Sequence, residues 1–268
     1  MYTILYQVTH MKYLLCFLGA VIIISFCILL MLFGSSARAD DRQPKFNIQK
    51  YGLVLSQNRV IFPKDAPSVG ITVKNPQDYP VLVHSRILAE NKLTKGGFMI
   101  TPPLFRLDAG RANVIKIIPT GTIFPEDREQ LQWLCVKGIP PKKNDEWARD
   151  PNEKEESRKE RSMTLRLSVD NCIKLFVRPD SLSGGAADRG DKLAWKIVGS
   201  DLVASNPTPY YMNLSMIQLG KANIPPDYVA PFAEKHFPLP KTGGHGELSW
   251  KILTDVGVES PLWTTMLR

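Results

Sequence analysis

The 268-residue sequence predicts an all-β protein of two consecutive β-sandwiches, and three observations carry that prediction. Residues 163–169 alternate strictly, with Met163, Leu165, Leu167 and Val169 on one side and Thr164, Arg166 and Ser168 on the other. A period of two is the mark of a half-buried strand. Some seven short apolar stretches precede it at close, regular spacing, broken by Pro, Gly and Asn-Pro turns, and no long helical period interrupts them. That spacing is the one expected of an immunoglobulin-type sandwich. A stretch of small residues, 180–187, then separates this block from a second set of short strands, which suits a domain boundary.

The N-terminus stands apart from both blocks. Lys12 precedes an apolar run over 13–33, followed by Gly34-Ser35-Ser36-Ala37-Arg38-Ala39. Small residues at Ala37 and Ala39 fit an Ala-x-Ala cleavage site, so residues 1–39 read as a secretory signal cut near Ala39/Asp40, with either Met1 or Met11 as the start. The run is also long enough to span a bilayer, so a retained anchor is the competing reading. Residues 40–50 carry Phe46 and Ile48 at alternate positions, as either a loose terminus or an added edge strand.

Within the first block, residues 53–55 and 59–62 form a first strand ended by Pro63, and 71–74 and 81–88 two more around the turn opened by Asn75-Pro76. Further strands follow at 98–100, 114–118 and 130–136. Residues 137–161 then hold eight basic and seven acidic side chains, with Trp147 the sole aromatic one. Such a segment buries too little to offset chain ordering and is expected to be a mobile loop. After it, residues 162–179 run nearly twice the usual strand length of about five or six residues. If one edge of so long a strand stays open, its apolar side chains are an aggregation hazard unless another protein pairs there. In the second block, strands are expected at 193–198, 202–205, 210–219 and 247–253, within a domain spanning 180–268.

Composition narrows the function. The 34 basic and 26 acidic residues give a net charge of +8, and losing Lys12 and Arg38 with the signal leaves +6. The basic residues are scattered along an exported chain, which argues against nucleic acid as a partner. Cys16 and Cys27 depart with the signal, leaving Cys135 and Cys172 as an even pair in an oxidising compartment, where one disulfide is expected. The bridge would staple the strands on either side of the charged loop. No catalytic fingerprint is present, and the carboxylate pair Glu155-Glu156 lies in that loop without a frame to hold it. His236 and His245 lack further ligands beyond Glu234 and Glu247, so no metal, no cofactor and no enzymatic activity are expected. Arg59 lies in the first strand after the polar Gln57-Asn58 pair, and Lys174, a lone cation within the apolar run 173–177, reads by itself as a solvent-facing or edge-guarding residue.

Four segments, IKLFVRP at 173–179, RLDAG at 106–110, IPP at 139–141 and NPTPYY at 206–211, resemble the PapD-like periplasmic chaperones that assemble pili and surface fibres. The resemblance implies two immunoglobulin-like domains, 40–179 and 180–268, set at an angle around a cleft. It places Arg59 and Lys174 on the family's basic pair, which grips the C-terminal carboxylate of a fibre subunit with an incomplete immunoglobulin-like fold. It makes Met163, Leu165, Leu167 and Val169 a donor strand that completes the subunit, and it implies delivery to an outer-membrane usher. It agrees with a Cys135–Cys172 bridge, which marks the subgroup with a long loop between strands F1 and G1. Arg106 to Gly110 is expected to be a turn with a buried ionic contact, although Ala109 stands where the family has proline. NPTPYY is expected to shape the second domain's side of the cleft. Self-association of the free protein is left open, and the alternative function is a membrane-anchored immunoglobulin-like adhesin or receptor ectodomain.

Overall fold

A computed structural model of the chain describes residues 25, 45–141, 145–148, 162–240 and 246–267. Apart from Ser25, the signal with its cleavage site lies outside those residues, as do most of the charged loop, His245 and the side chain of Met163. Residues 46–268 form one compact unit.

The first block contributes eleven strands: β1 (Lys45–Tyr51), β2 (Val54–Leu55), β3 (Arg59–Pro63), β4 (Val69–Lys74), β5 (Val81–Ala89), β6 (Phe98–Thr101), β7 (Leu104–Leu107), β8 (Ala112–Pro119), β9 (Gln130–Ile139), β10 (Ser162–Ser168) and β11 (Asp170–Arg178). A sheet in the order β2-β4-β8-β6 faces one in the order β3-β11-β9-β5-β7, while β1 pairs with β10 in a separate ribbon. Between the sheets lies a core that includes Val60, Phe62, Ile71, Val83, Ile117, Leu134 and Leu175. The second block adds β12 (Ala194–Val198), β13 (Asp201–Asn206), β14 (Met212–Leu219), β15 (Ala222–Ile224), β16 (Tyr228–Val229), β17 (Ala233–Pro238), β18 (Gly246–Ile252) and β19 (Trp263–Leu267). Here the sheets run β12-β13-β17 and β15-β14-β18-β19, with β16 on β14, over a core that includes Leu202, Tyr210, Met212, Ile217 and Trp250.

Parity explains the apolar run that ends the first block. In β11 the odd residues Ile173, Leu175 and Val177 enter the first core, whereas Phe176 joins Leu131, Trp133, Cys135 and Tyr211 in a third cluster between the two sandwiches. Both faces of β9 and β11 are therefore covered, and a strand covered on both faces reads as continuous apolar sequence rather than as alternation. Lys174 shares the even parity of Phe176.

The two sandwiches use one turn device twice. Asn75 is fully buried; its Oδ1 accepts from the Gln77 N–H, and its Nδ2 donates to the carbonyls of Tyr79, Leu107 and Asp108. Asn206 does the same with the Thr208 N–H and the carbonyls of Tyr210, Val229 and Ala230. An Asn-Pro start with its amide holding the carbonyl four residues on closes each turn without leaving a buried polar atom unpaired.

Several expectations are revised. The first strand, expected over 53–62, is divided between the two sheets, as β2 and β3, because the chain crosses over at Gln57-Asn58. The long strand breaks at Val169: β9 partners β11 only as far as Asp170, and beyond it β10 is paired by β1. Residues 137–139, assigned to the charged loop, extend β9 instead. Strands β7, β15, β16, β17 and β19 were not anticipated; each is short or carries polar and charged residues at alternate positions, so its apolar signal is weak. The Arg106–Asp108 contact is real at 3.0 Å but lies in solvent, with 47% and 65% of the two side chains exposed.

Candidate functional site

Arg59 and Lys174, expected from the resemblance to form the anchor, sit on neighbouring strands. β11 runs parallel to β3 in a register that pairs Lys174 with Arg59, and antiparallel to β9, which brings Trp133 to its other side. Even parity sends Lys174 toward the second sandwich, where its Nζ donates to Asn213 Oδ1 at 2.6 Å. The ammonium stands 4.7 Å from the ring centre of Tyr228 and 5.9 Å from that of Trp133. Arg59 is 7% exposed and its Nε donates to Asn58 Oδ1 at 3.2 Å. Among the described residues neither cation is paired with a carboxylate.

Desolvation therefore weighs on both. Burial pulls Lys174 down to about 8, with Arg59 and Lys92 acting in the same direction and Asp227 against it. Burial likewise lowers Arg59, opposed by Asp255. Two neighbouring cations partly removed from water, and unpaired with a carboxylate among the described residues, would gain by meeting an anion, since a carboxylate at hydrogen-bond distance favours the charged form.

The proposed donor strand has two unlike faces. Arg166 Nη1 donates to the Pro141 carbonyl and Ser168 Oγ to the Gly138 carbonyl, each at 2.5 Å, so the polar residues of β10 hold the end of β9. Leu165, Leu167 and Val169, of opposite parity, are left 52%, 40% and 43% exposed. Met163 lies in β10 with the same parity. Gly138 permits the close passage of the chain, because a Cβ there would come within 2.8 Å of the Tyr51 carbonyl. An open groove of about 740 Å³, lined by Leu53, Leu55, Asn58, Asn171, Ile173 and Val256, adjoins the stretch of β11 between Val169 and Lys174.

Cys135 and Cys172 face each other across β9 and β11 and form a disulfide. An ion pair between Arg86 and Asp170 lies two residues from it. The bridge joins β9, which enters the charged loop, to β11, which follows β10 after that loop.

Sequence reasoning overlooked a buried ion network. The Arg178 guanidinium meets Glu129 Oε1 at 2.7 Å and both carboxylate oxygens of Asp255 at 2.6 and 2.8 Å, so it ties β9 and β11 to the loop between β18 and β19. Glu129 Oε2 accepts the Tyr211 N–H at 2.8 Å. Burial pushes the Glu129 carboxyl up against the pull of Arg178. Burial also works against the Arg178 cation, yet Asp255 and Glu129 outweigh it and hold the guanidinium firmly protonated. In the sequence Arg178 stands out only as part of the IKLFVRP segment. Tyr210 and Tyr211 of the NPTPYY segment are 1% and 5% exposed and serve the interior.

Residues 52–183 match the family described as pili and flagellar-assembly chaperone, PapD N-terminal domain, and residues 188–264 match the pili assembly chaperone PapD, C-terminal domain. The chaperone protein Caf1M of Yersinia pestis is 43% identical over 83% of this chain and 89% of its own length. The chaperone protein PsaB of the same organism is 40% identical over 76% and 79%. These similar figures single out a subgroup rather than one member. Among solved structures, the Escherichia coli chaperone DraB superposes with a TM-score of 0.71 at 38% identity, covering 84% of this chain and all of that one. The Salmonella enterica SafB chaperone, in complex with the SafA pilin, is similar too, with a TM-score of 0.73 and 35% identity over 83% of this chain and 100% of the matched chain.

Proposed function

This chain belongs to the PapD-like family of pilus-assembly chaperones, within its long-loop subgroup, and from that premise we propose how it holds its client. The protein is a non-enzymatic periplasmic chaperone of the chaperone–usher pathway that binds pilin subunits. Arg59 and Lys174 take the C-terminal carboxylate of the subunit. Met163, Leu165, Leu167 and Val169 then fill the place of the strand that the subunit lacks.

The observation that carries this reading is the pair of register-matched, partly buried cations, neither of them paired with a carboxylate among the described residues. Lys174 and Leu167 are seven residues apart, roughly 23 Å along extended chain. Fixing the subunit's end at one point therefore fixes which of its pockets meets which apolar side chain. Since Leu165, Leu167 and Val169 are already about half covered, completing their burial adds about 1 kcal/mol each. The terminal carboxylate sets the register, and the apolar row supplies the surface. We place the domain junction at Pro179/Asp180, the signal cut near Ala39/Asp40, and an outer-membrane usher as the recipient of the complex.

Co-expression with exported fibre subunits, followed by recovery of the complex from the periplasm, tests the reading. Lys174→Ala and Arg59→Ala each lower recovery of the subunit by roughly ten- to a hundredfold, the loss expected for one charge-assisted contact of about 1.5–3 kcal/mol. Wild-type recovery with either variant would refute the anchor.

A further inference from the structure

We propose that Asn213 is a positioning residue of the cationic anchor: its side-chain carbonyl, a neutral acceptor carried by the second sandwich, orients the Lys174 ammonium toward the arriving carboxylate without neutralising it. The proposal rests on the reading of Arg59 and Lys174 as the anchor.

Asn213 is 4% exposed in β14, and its amide has a fixed direction. Its Nδ2 donates to the Tyr211 carbonyl at 3.1 Å, which leaves Oδ1 to accept from Lys174 at 2.6 Å. Tyr211 in turn gives its N–H to Glu129, and Glu129 is held by Arg178, which also grips Asp255. The acceptor that orients the ammonium is thus built into the ion network that joins the sandwiches. An ammonium has three donors, and one is spent on Asn213.

The charge state of the acceptor matters because of what surrounds Lys174 on every side. Arg59 on β3 and Lys92 in the turn after β5 both disfavour its charge. Trp133 on β9 and Tyr228 on β16 present ring faces. Asp227, beside Tyr228, favours the charge but is engaged by Lys235 at 2.8 Å. A carboxylate in place of the Asn213 amide would sit at hydrogen-bond distance from the ammonium and act as a permanent internal competitor for the subunit's terminus. An amide orients the ammonium and leaves its charge for the client.

The test uses the mature, disulfide-intact protein and a synthetic peptide of alternating valine and threonine, prepared with either a free C-terminal carboxylate or a C-terminal amide. Binding is followed by fluorescence anisotropy from pH 6.5 to 9.5. The wild type favours the free acid, and the preference fades as the pH rises through the titration of Lys174. Asn213→Asp removes the preference at pH 7 while moving the Lys174 titration, followed by side-chain NMR, to higher pH. Asn213→Ala reduces the preference roughly tenfold, the scale of one hydrogen bond to a charged group, and moves the titration to lower pH. Opposite displacements of one midpoint are not the result of general loosening. If Asn213→Asp does not fold, Asn213→Ala and Asn213→Ser decide by the same measurements. Variants that keep the wild-type acid preference and midpoint overturn the proposal. If instead Lys174→Ala retains the wild-type preference, the anchor reading itself falls, and this inference with it.

Discussion

Lys174 and Arg59 are register partners across the parallel pair β11–β3, so the protein holds two cations side by side where its two sandwiches meet. Like charges opposite one another destabilise a sheet, and these two are also largely removed from water. The arrangement costs the free protein stability, and an anion bound there, as proposed for the subunit's carboxylate, would relieve that cost.

That cost has a pH signature. The folded-state value of Lys174 lies near 8, below its ordinary 10.5, because burial disfavours the charge. Below about 8 both folded and unfolded chains carry the proton and the full penalty is present; it is relieved as the pH rises from about 8 to 10.5. Lys174→Met is therefore expected to be more stable than wild type at pH 7, on the order of 1 to 2 kcal/mol after allowance for partial exposure. The gap closes by about pH 10.5, as measured by urea unfolding across the range. A gap that does not change with pH would mean that the ammonium is not the source.

Leu167→Asp separates a client surface from a core. Leu167 is 40% exposed on β10, so the charge is solvated in the free protein and unfolding shifts by less than about 1 kcal/mol. Subunit capture, by contrast, falls at least tenfold, because the carboxylate must be buried without a partner in the complex. Thermal unfolding and pull-down of the same preparation make the comparison.

Arg178→Ala is expected to be the most damaging single change outside the cores. It strands Glu129, whose side chain is 2% exposed, without its cation and removes the link to Asp255. Breaking a buried ion pair in this way costs about 3–5 kcal/mol. Glu129→Gln combined with Arg178→Met, which removes both charges, is expected to recover much of the loss in chemical denaturation.

Reduction of the Cys135–Cys172 bridge frees a segment with a sequence separation of 37. By chain entropy the loss is about 4 kcal/mol. Replacing both cysteines with serine lowers the midpoint of urea unfolding accordingly, and added reductant has no further effect on that variant.

Much of this was legible along the chain. The strict alternation of 163–169 predicts a strand with one apolar face, and the structure leaves Leu165, Leu167 and Val169 half exposed there. The pairing of Cys135 with Cys172 follows from a count of cysteines in an exported chain, and register brings the two face to face. The break at Val169 was not legible, since it depends on where β9 stops supplying a partner and β1 takes over. The second use of the Asn-Pro turn, at Asn206, is visible in the sequence only after the hydrogen bonds of Asn75 show what to look for.

By itself the sequence determined the local backbone: a two-residue period dictates strands and assigns each side chain to a face, whatever lies opposite. Only the tertiary structure decided what each face meets. Lys174 finds Asn213 across 39 residues, and Arg178 finds Glu129 across 49 and Asp255 across 77. Contacts at such separations leave no periodic trace, because they are made by packing one sandwich against another and not by the pitch of any single strand.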